Sequence, residues 1–232
     1  MPIAIAGLAD VLRIHGRQQP DVAAIVHDGR TTTDAELDRA ASRVANALIA
    51  EGVRPQARVA HLDKSTDQFF ELLFGVAKAN AVMVSVNWRL APPEVAHIVN
   101  DAEAEILVVG EEYFPVVEKI RDDLKTVRKI VAFGRHAHWE SFTAWRDRQP
   151  ATDPNLPARA TDTAVQFYTS GTTGLPKGAE LTNRNFTAMM PLWTKEWLLA
   201  PGVPNLVCLP MFHISAARAG ALPGCSPAPP TT

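Results

Sequence analysis

Residues 164–182 read AVQFYTSGTTGLPKGAELT, and this stretch determines how the rest of the chain is interpreted. The apolar run at 164–167 and the segment at 179–182 predict short strands on both sides of a loop rich in hydroxyls and glycines. Short hydroxyls and bare backbone amides suit the closely spaced oxygens of a polyphosphate, and a lysine adds a mobile positive charge. The stretch therefore predicts a phosphate-binding loop whose binding residues are Thr169, Ser170, Gly171, Thr172, Thr173, Gly174 and Lys177.

This loop differs from the P-loop of nucleoside triphosphatases. Gly171 and Lys177 have the spacing of the P-loop pattern, but Pro176 stands at the second glycine and has no amide to donate. Gly178 also replaces the Ser or Thr that would hold magnesium there. The common alternative for such a composition is a flexible surface loop. The strand-like flanks and the ordered alternation of Thr and Gly favour a binding loop over that alternative.

Three motifs resemble one known family. YTSGTTGLPKG at 168–178 is similar, without a mismatch, to the signature loop of the AMP-forming adenylating enzymes, which include acyl-CoA synthetases, luciferase-like ligases and the adenylation domains of peptide synthetases. VMVSVNWRLAPPE at 82–94 resembles the family's strand, Asn-x-Arg-Leu turn and following helix, and LPMFH at 209–213 resembles its next motif. The resemblance implies the N-terminal part of the large domain of an AMP-forming acyl-CoA synthetase, an incomplete α/β fold with layered helices on a largely parallel sheet.

The same resemblance implies a reaction and its ligands. A carboxylate attacks the α-phosphate of ATP and releases pyrophosphate, and the thiol of CoA then attacks the acyl-adenylate to give a thioester. Residues 169–173 would grip the β and γ phosphates, Lys177 would neutralise charge, and Mg²⁺ would bridge the phosphate oxygens. A fatty acid is the first expectation for the carboxylate, and an aromatic acid is the alternative. His213 would lie near the acyl site; a core histidine at a strand end is an equally weighted alternative.

The chain also departs from the family pattern. Asn80, Ser85 and Asn183 stand where glycine, proline and histidine are common. The family's adenine-contacting segment, magnesium motif, ribose-binding aspartate, hinge and C-terminal lysine are missing from the sequence, and the Pro/Ala/Gly-rich residues 215–232 predict a disordered tail. One hypothesis is a reading frame interrupted near 215–218, which would leave an N-terminal fragment inactive by itself. The alternatives are one half of an enzyme that assembles with a separate chain carrying the missing C-terminal half, a non-catalytic phosphate-binding remnant, and a partner subunit of an intact synthetase.

Periodicity along the chain predicts alternating helices and strands, the pattern of an α/β domain with a largely parallel sheet. A first helix ends at Gly16, and a capping box formed by Thr33 and Glu36 begins a helix that Gly52 ends. Further strands are predicted at 24–27, 59–62, 81–86, 106–109 and 129–133, and further helices at 69–79, 93–102 and 114–124. Four parts follow: an α/β lobe at 1–147, a linker at 148–163, the start of a second, loop-bearing lobe at 164–214, and the tail.

Composition excludes some classes of function. With 23 basic and 25 acidic residues the net charge is −2, so no electrostatic footprint for nucleic acid is present. The longest apolar stretch, at 198–212, contains three prolines and is too short to span a membrane, and the N-terminus lacks a basic leader. Two cysteines do not make a disulfide framework, which favours a reducing, cytoplasmic location.

Two side-chain clusters are assigned no ligand from the sequence. His136 and His138 have no third ligand at suitable spacing, so they are interpreted as surface histidines and no metal is assigned. The stripe formed by Phe69, Phe70, Leu73 and Phe74 has helical spacing and could suggest a lipid groove, but an aromatic stripe is more often core. We therefore expect this stripe to be buried in the core.

Overall fold

The computed structural model describes residues 5–169, 175–196 and 205–213, with the backbone only for 191–196. The helices are α1 Leu8–Gln18, α2 Asp34–Ala50, α3 Asp67–Lys78, α4 Pro92–Asp101, α5 Phe114–Ile120, α6 Phe142–Asp147 and α7 Asn183–Glu196. The strands are β1 Ala23–His27, β2 Arg30–Thr33, β3 Arg58–Leu62, β4 Val82–Ser85, β5 Ala104–Gly110, β6 Lys129–Phe133, β7 Glu140–Ser141, β8 Thr163–Thr169 and β9 Lys177–Thr182. The predicted tail and the predicted binding residues 170–174 lie outside the described residues.

Most of the strands form one twisted sheet with helices on both faces. The sheet has seven strands in the order β7-β6-β5-β3-β4-β8-β9, and every pair is parallel except β8 with β9. One apolar core lies against α1, α2, α3, α6 and α7, and a second lies against α4 and α5. This arrangement confirms the predicted α/β class with a largely parallel sheet.

The central strands are apolar on both faces because both are covered. In β5, Ile106 and Val108 contribute to the first core, while Leu107 and Val109 contribute to the second. A strand buried on both faces reads as a continuous apolar run, which is how the sequence revealed these strands. The strands predicted at 59–62, 81–86, 106–109 and 129–133 are confirmed to within two residues at each end. The predicted core position of Phe69 and Phe74 is also confirmed.

Two helix ends illustrate what local signals can and cannot predict. The predicted capping box of α2 is confirmed, since the Glu36 amide donates to Thr33 Oγ1 at 3.3 Å and the Thr33 amide donates to Glu36 Oε2 at 2.8 Å. The predicted end of α1 at Gly16 is wrong, because α1 continues to Gln18. Gly16 lies against α2, where a Cβ would come within 2.9 Å of Asp38 Cβ. The glycine permits close helix packing and does not terminate the helix.

The predicted linker region is fixed to the helices and leads back into the same sheet. Residues 148–160 contain no helix or strand. Asn46 Nδ2 donates to the carbonyl oxygens of Pro150 and Thr152, both at 2.8 Å, and Arg13 donates to both carboxylate oxygens of Asp153 at 2.9 and 3.0 Å. After this segment, β8 pairs with β4. The division of the chain into two lobes therefore stays a prediction, and it crosses one continuous sheet.

The departure from the family pattern at Asn80 has a backbone explanation. Asn80 has φ of 50°, in the left-handed region where glycine is favoured and asparagine is tolerated. Its side-chain amide donates to Asp162 Oδ2 at 3.1 Å and to the Pro157 carbonyl oxygen at 3.3 Å. The asparagine thus keeps the turn before β4 and adds contacts to the end of the linker region.

A buried histidine in β3 predicts how stability depends on pH. His61 is 3% exposed and lies edge-on to Phe69 and Phe133, and burial lowers its pKa from 6.5 to about 3. As the pH falls, the unfolded chain binds a proton at this histidine before the folded chain does. The contribution of neutral His61 to the free energy of unfolding is therefore complete above pH 6.5 and is lost as the pH falls toward 3. Lowering the pH from 7.5 to 5 should therefore cost about 1–2 kcal/mol through this residue alone.

The measurement is urea unfolding of the wild type and of His61→Leu at both pH values. The variant should lose less stability on acidification than the wild type does, whatever packing cost it carries at both pH values. Equal losses in the two proteins would show that His61 does not cause this part of the acid sensitivity.

Candidate functional site

The predicted phosphate loop joins two antiparallel strands. Thr169 ends β8 and Lys177 begins β9, and the two residues lie opposite each other in the ladder. The Thr169 hydroxyl is 3.5 Å from the Lys177 carbonyl oxygen. The structure therefore brings together the first and last of the predicted binding residues, and the intervening loop leaves and re-enters the sheet at this point. The predicted strands on both sides of the loop are confirmed.

The charge of Lys177 faces solvent. Thr169 and Lys177 are both exposed. Within the described parts of the chain, no carboxylate lies within ion-pair distance of the Lys177 ammonium. An exposed ammonium with no carboxylate partner there can approach an anionic ligand without first breaking an ion pair.

Gly178 has a packing role at the base of the loop. A Cβ at this position would overlap Gln166 Nε2 and would lie 3.1 Å from Tyr168 Cζ and 3.2 Å from Tyr168 Oη. The backbone of β9 thus passes directly over the side chains of β8. The last glycine of the signature motif is explained by this close approach, without reference to a ligand.

Thr169 and Lys177, which flank the loop, lie at the carboxyl edge of the parallel sheet, where ligands bind in open α/β folds. The chain passes from β3 to β4 on one side and then to β5 on the other side of β3, so the strand order reverses between β3 and β5. The segments after β3, β4, β5 and β8 all emerge at this edge. The Asn-x-Arg-Leu turn at 87–90 and the phosphate loop therefore follow neighbouring strands.

The LPMFH motif also reaches this edge. The Met211 amide donates to Ser65 Oγ, in the segment after β3, at 3.1 Å, and Met211 is buried in the first core. The Phe212 ring lies edge-on to the Trp88 ring at 6.1 Å, and the Arg89 guanidinium lies 4.5 Å from the Trp88 ring centroid. The two motifs that are distant in sequence thus contact each other at the same end of the sheet.

His213 is exposed and lies in a turn. Its backbone amide donates to the Pro210 carbonyl oxygen at 3.1 Å. The alternative interpretation as a core histidine at a strand end does not match this position. Its role near the acyl site stays a prediction, because the surrounding residues at 197–204 and 214–232 lie outside the described parts of the chain.

Asp63 is a partly buried carboxyl group at the point where the strand order reverses. Burial raises its pKa from 3.8 to about 6. A Cβ on Gly110, at the end of β5, would overlap the Asp63 carboxylate, so Gly110 leaves the space that this side chain occupies. The neighbouring Lys64 pairs with Glu112 at 2.6 Å. Asp63 belongs to none of the three motifs; the sequence signal that points to it is a carboxylate directly after a buried parallel strand.

The described residues offer no preformed metal site. No group of three or more His, Cys, Asp or Glu side chains within 5–169, 175–196 and 205–213 is arranged to hold a metal ion. The donor set at the loop consists of hydroxyls, amides and one ammonium, which suits phosphate oxygens and does not suit a free cation. A magnesium ion that fits these residues would therefore be bound through the phosphates it accompanies.

None of the helices within the described ranges has both the length and the apolar composition of a membrane span.

Comparison with known proteins identifies the same family that the three motifs resemble. A model of the AMP-binding enzyme family matches residues 12–224. The fatty acid–[acyl-carrier-protein] ligase ScoC of Streptomyces coeruleorubidus is 41% identical over 212 residues, which are 89% of this chain and 40% of that protein. A feruloyl-CoA synthase of Amycolatopsis sp. is 36% identical over 207 residues, again 89% of this chain and 40% of the relative. The chain thus spans about 40% of the length of the curated relatives it matches.

Solved structures resemble the fold along nearly the whole chain. The anthranilate CoA ligase AuaEII in complex with anthranoyl-AMP superposes with a TM-score of 0.88 at 26% identity, over 97% of this chain and 44% of that one. ATP-bound MatB from Rhodopseudomonas palustris superposes with a TM-score of 0.81 at 25% identity, over 94% and 43%. Since the family model covers residues 12–224 and these structures share the fold, the chain belongs to the AMP-binding enzyme family.

Proposed function

We propose that the chain supplies the ATP-phosphate-binding part of an AMP-forming ligase of the fatty-acid–CoA type. The observation that carries the proposal is the hairpin formed by β8 and β9, which holds the signature loop between Thr169 and Lys177 at the carboxyl edge of the sheet. That edge is where α/β folds place their ligands, and the chemistry of the loop suits a polyphosphate.

The proposed reaction has two steps. A carboxylate oxygen of the substrate attacks the α-phosphorus of ATP, the bond to the bridging oxygen breaks, and pyrophosphate leaves. The thiol sulfur of CoA then attacks the acyl carbon, loses its proton, and AMP leaves. In this scheme residues 169–174 bind the β and γ phosphates, and Lys177 stabilises the charge that develops on the pyrophosphate. Mg²⁺ bound to the phosphates would neutralise part of the same charge.

The names of the relatives support a carboxylate substrate. The relative with 41% identity is a fatty acid ligase, the one with 36% identity acts on an aromatic acid, and a third group comprises crotonobetaine/carnitine–CoA ligases at 34%. We therefore propose a fatty acid as the first candidate and an aromatic acid as the alternative. A cytoplasmic location, which Cys208 as an exposed free thiol favours, belongs to the same proposal.

Two other functions are candidates for this chain. It would bind phosphate without turnover, or it would act as a partner subunit of an intact synthetase. Lys177 without a carboxylate partner among the described residues supports phosphate binding in either case.

The test is carboxylate-dependent exchange of labelled pyrophosphate into ATP by the purified 232-residue chain. Dodecanoate and ferulate serve as the two carboxylates, and a reaction without carboxylate is the control. Exchange that requires dodecanoate supports the ligase with a fatty-acid substrate, and exchange that requires only ferulate supports the aromatic alternative. ATP binding without pyrophosphate exchange would contradict the ligase activity of this chain and would support the phosphate-binding remnant or the partner subunit. A single monomeric species with no co-purifying ligase would contradict the partner subunit.

A further inference from the structure

We infer that Tyr168 is a positioning residue for the phosphate-binding loop, acting through a hydrogen bond between its hydroxyl and Asp101 at the end of α4. The inference rests on the proposed phosphate binding and deepens it. Tyr168 directly precedes Thr169, so a fixed Tyr168 side chain fixes the point at which the loop leaves the sheet.

The hydroxyl of Tyr168 is the centre of a short hydrogen-bonded chain. It donates to Asp101 Oδ2 at 2.6 Å and accepts from Gln166 Nε2 at 3.1 Å. A distance of 2.6 Å lies in the range of a charge-assisted bond between a hydroxyl and a carboxylate. Burial, and to a lesser extent the hydrogen bond to Asp101, raises the pKa of Tyr168. The hydroxyl therefore keeps its proton and remains the donor.

The position of Asp101 supports a specific role for this bond. Asp101 is the last residue of α4, and a carboxylate at a helix C-terminus is disfavoured by the helix dipole. An acid there requires a compensating contact, and the Tyr168 hydroxyl provides one. The helix α4 follows the Asn-x-Arg-Leu turn at 87–90, and the bond joins its C-terminal end to the strand that carries the loop.

Gly178 completes the arrangement from the other strand. Tyr168 and Gly178 lie opposite each other in the β8–β9 ladder, and a Cβ at 178 would press on Tyr168 Cζ and Oη. Without that Cβ, the ring can lie close to the β9 backbone while its hydroxyl reaches Asp101. The backbone that carries Lys177 is thereby positioned through the same tyrosine.

The experiment compares five variants of the chain: Tyr168→Phe, Asp101→Ala, Asp101→Asn, Tyr113→Phe and the double variant of Tyr168→Phe with Asp101→Ala. Tyr113 is the matched control, because it is the chain's other tyrosine and its hydroxyl makes no hydrogen bond among the described residues. Three quantities are measured for each: the Kd for ATP with magnesium, hydrogen exchange of the amides at 169–178, and the urea midpoint of unfolding.

We expect Tyr168→Phe and Asp101→Ala to weaken ATP binding about tenfold each, and the double variant to be no weaker than either one. Asp101→Asn keeps an oxygen acceptor and should recover most of the affinity. Tyr113→Phe should leave the affinity unchanged. In Tyr168→Phe and Asp101→Ala, hydrogen exchange of the amides at 169–178 should become faster, while the amides in the rest of the sheet stay protected.

Unchanged ATP affinity in Tyr168→Phe would overturn the inference, as would a lower urea midpoint with no change in affinity, which is the sign of a purely structural bond. If the wild-type chain does not bind ATP, the proposed function fails in this chain. Hydrogen exchange of the amides at 169–178 then still tests whether Tyr168 positions the loop. Faster exchange there in Tyr168→Phe and not in Tyr113→Phe supports it, and equal exchange in all variants contradicts it.

Discussion

Replacement of Lys78 by methionine is expected to lower the free energy of unfolding by about 3 kcal/mol. The Lys78 side chain is fully buried, and its ammonium lies 2.7 Å from Asp38 Oδ1, 2.8 Å from Asp153 Oδ2 and 2.8 Å from Ser42 Oγ. Methionine keeps the length of the side chain but leaves both carboxylates without this partner. Removal of one member of a buried ion pair costs about 3–5 kcal/mol, and the lower figure applies because both aspartates are partly exposed.

The contact matters because it fixes the linker region to the helices. Asp153 belongs to the segment between α6 and β8, and Lys78 ends α3, so the pair joins that segment to the first core. Burial raises the pKa of Asp153, but hydrogen bonds from Arg13 and Lys78 outweigh this effect and lower the pKa below its usual value.

Arg128→Ala is the control for the Lys78 variant. It breaks an exposed pair with Glu105 and should cost less than about 1 kcal/mol. Urea unfolding at neutral pH measures both variants. A Lys78→Met chain as stable as the wild type would show that the buried ammonium does not stabilise the fold.

A methyl group added at Gly75 is expected to destabilise the chain by about 2–3 kcal/mol, although alanine favours helices more than glycine does. Gly75 is buried in α3 where it crosses α2. A Cβ at this position would lie within 2.5 Å of Val44 Cβ and 3.0 Å from the Ala41 carbonyl oxygen. Because the backbone oxygen of α2 cannot move without the helix, the two helices would have to separate.

A second substitution separates this packing effect from other causes. Val44→Gly removes both Val44 atoms that the new methyl group would meet, Cβ and Cγ1, and the double variant Gly75→Ala with Val44→Gly should lose less stability than the sum of the two single variants. The thermodynamic cycle is measured by urea unfolding of the wild type, both single variants and the double variant. Additive losses, with no recovery in the double variant, would contradict a clash between these two positions.

Much of the fold could be predicted from the sequence because its central strands are buried on both faces. Continuous apolar runs such as 106–109 predict strands of this kind, and the capping box at Thr33 predicts the start of α2. Strand β2 was missed because Arg30–Thr33 reads RTTT and is largely exposed, so it carries no apolar pattern. The end of α1 was misplaced at Gly16, because a glycine kept for helix packing has the same local signature as one that stops a helix.

The candidate site was predictable in its motif and not in its supporting contacts. The composition at 168–178 predicts phosphate binding, since short hydroxyls, bare backbone amides and a lysine suit the oxygens of a polyphosphate. Asp101 carries no such signal, because its partner Tyr168 lies far from it in the sequence and only the fold brings the two together. The role of Gly178 also could not be predicted, because the side chains of Gln166 and Tyr168 that its backbone approaches are brought to it only by the fold.

The most direct test of the phosphate-binding claim is the affinity of the purified chain for ATP with magnesium, measured by calorimetry for the wild type and for Lys177→Ala. Lys125→Ala is the control, because Lys125 is also exposed and precedes β6 at the opposite edge of the sheet. We expect the wild type to bind, Lys177→Ala to bind about tenfold to a hundredfold more weakly, and Lys125→Ala to bind like the wild type. Equal affinity in all three proteins would contradict the assignment of the loop as the phosphate site.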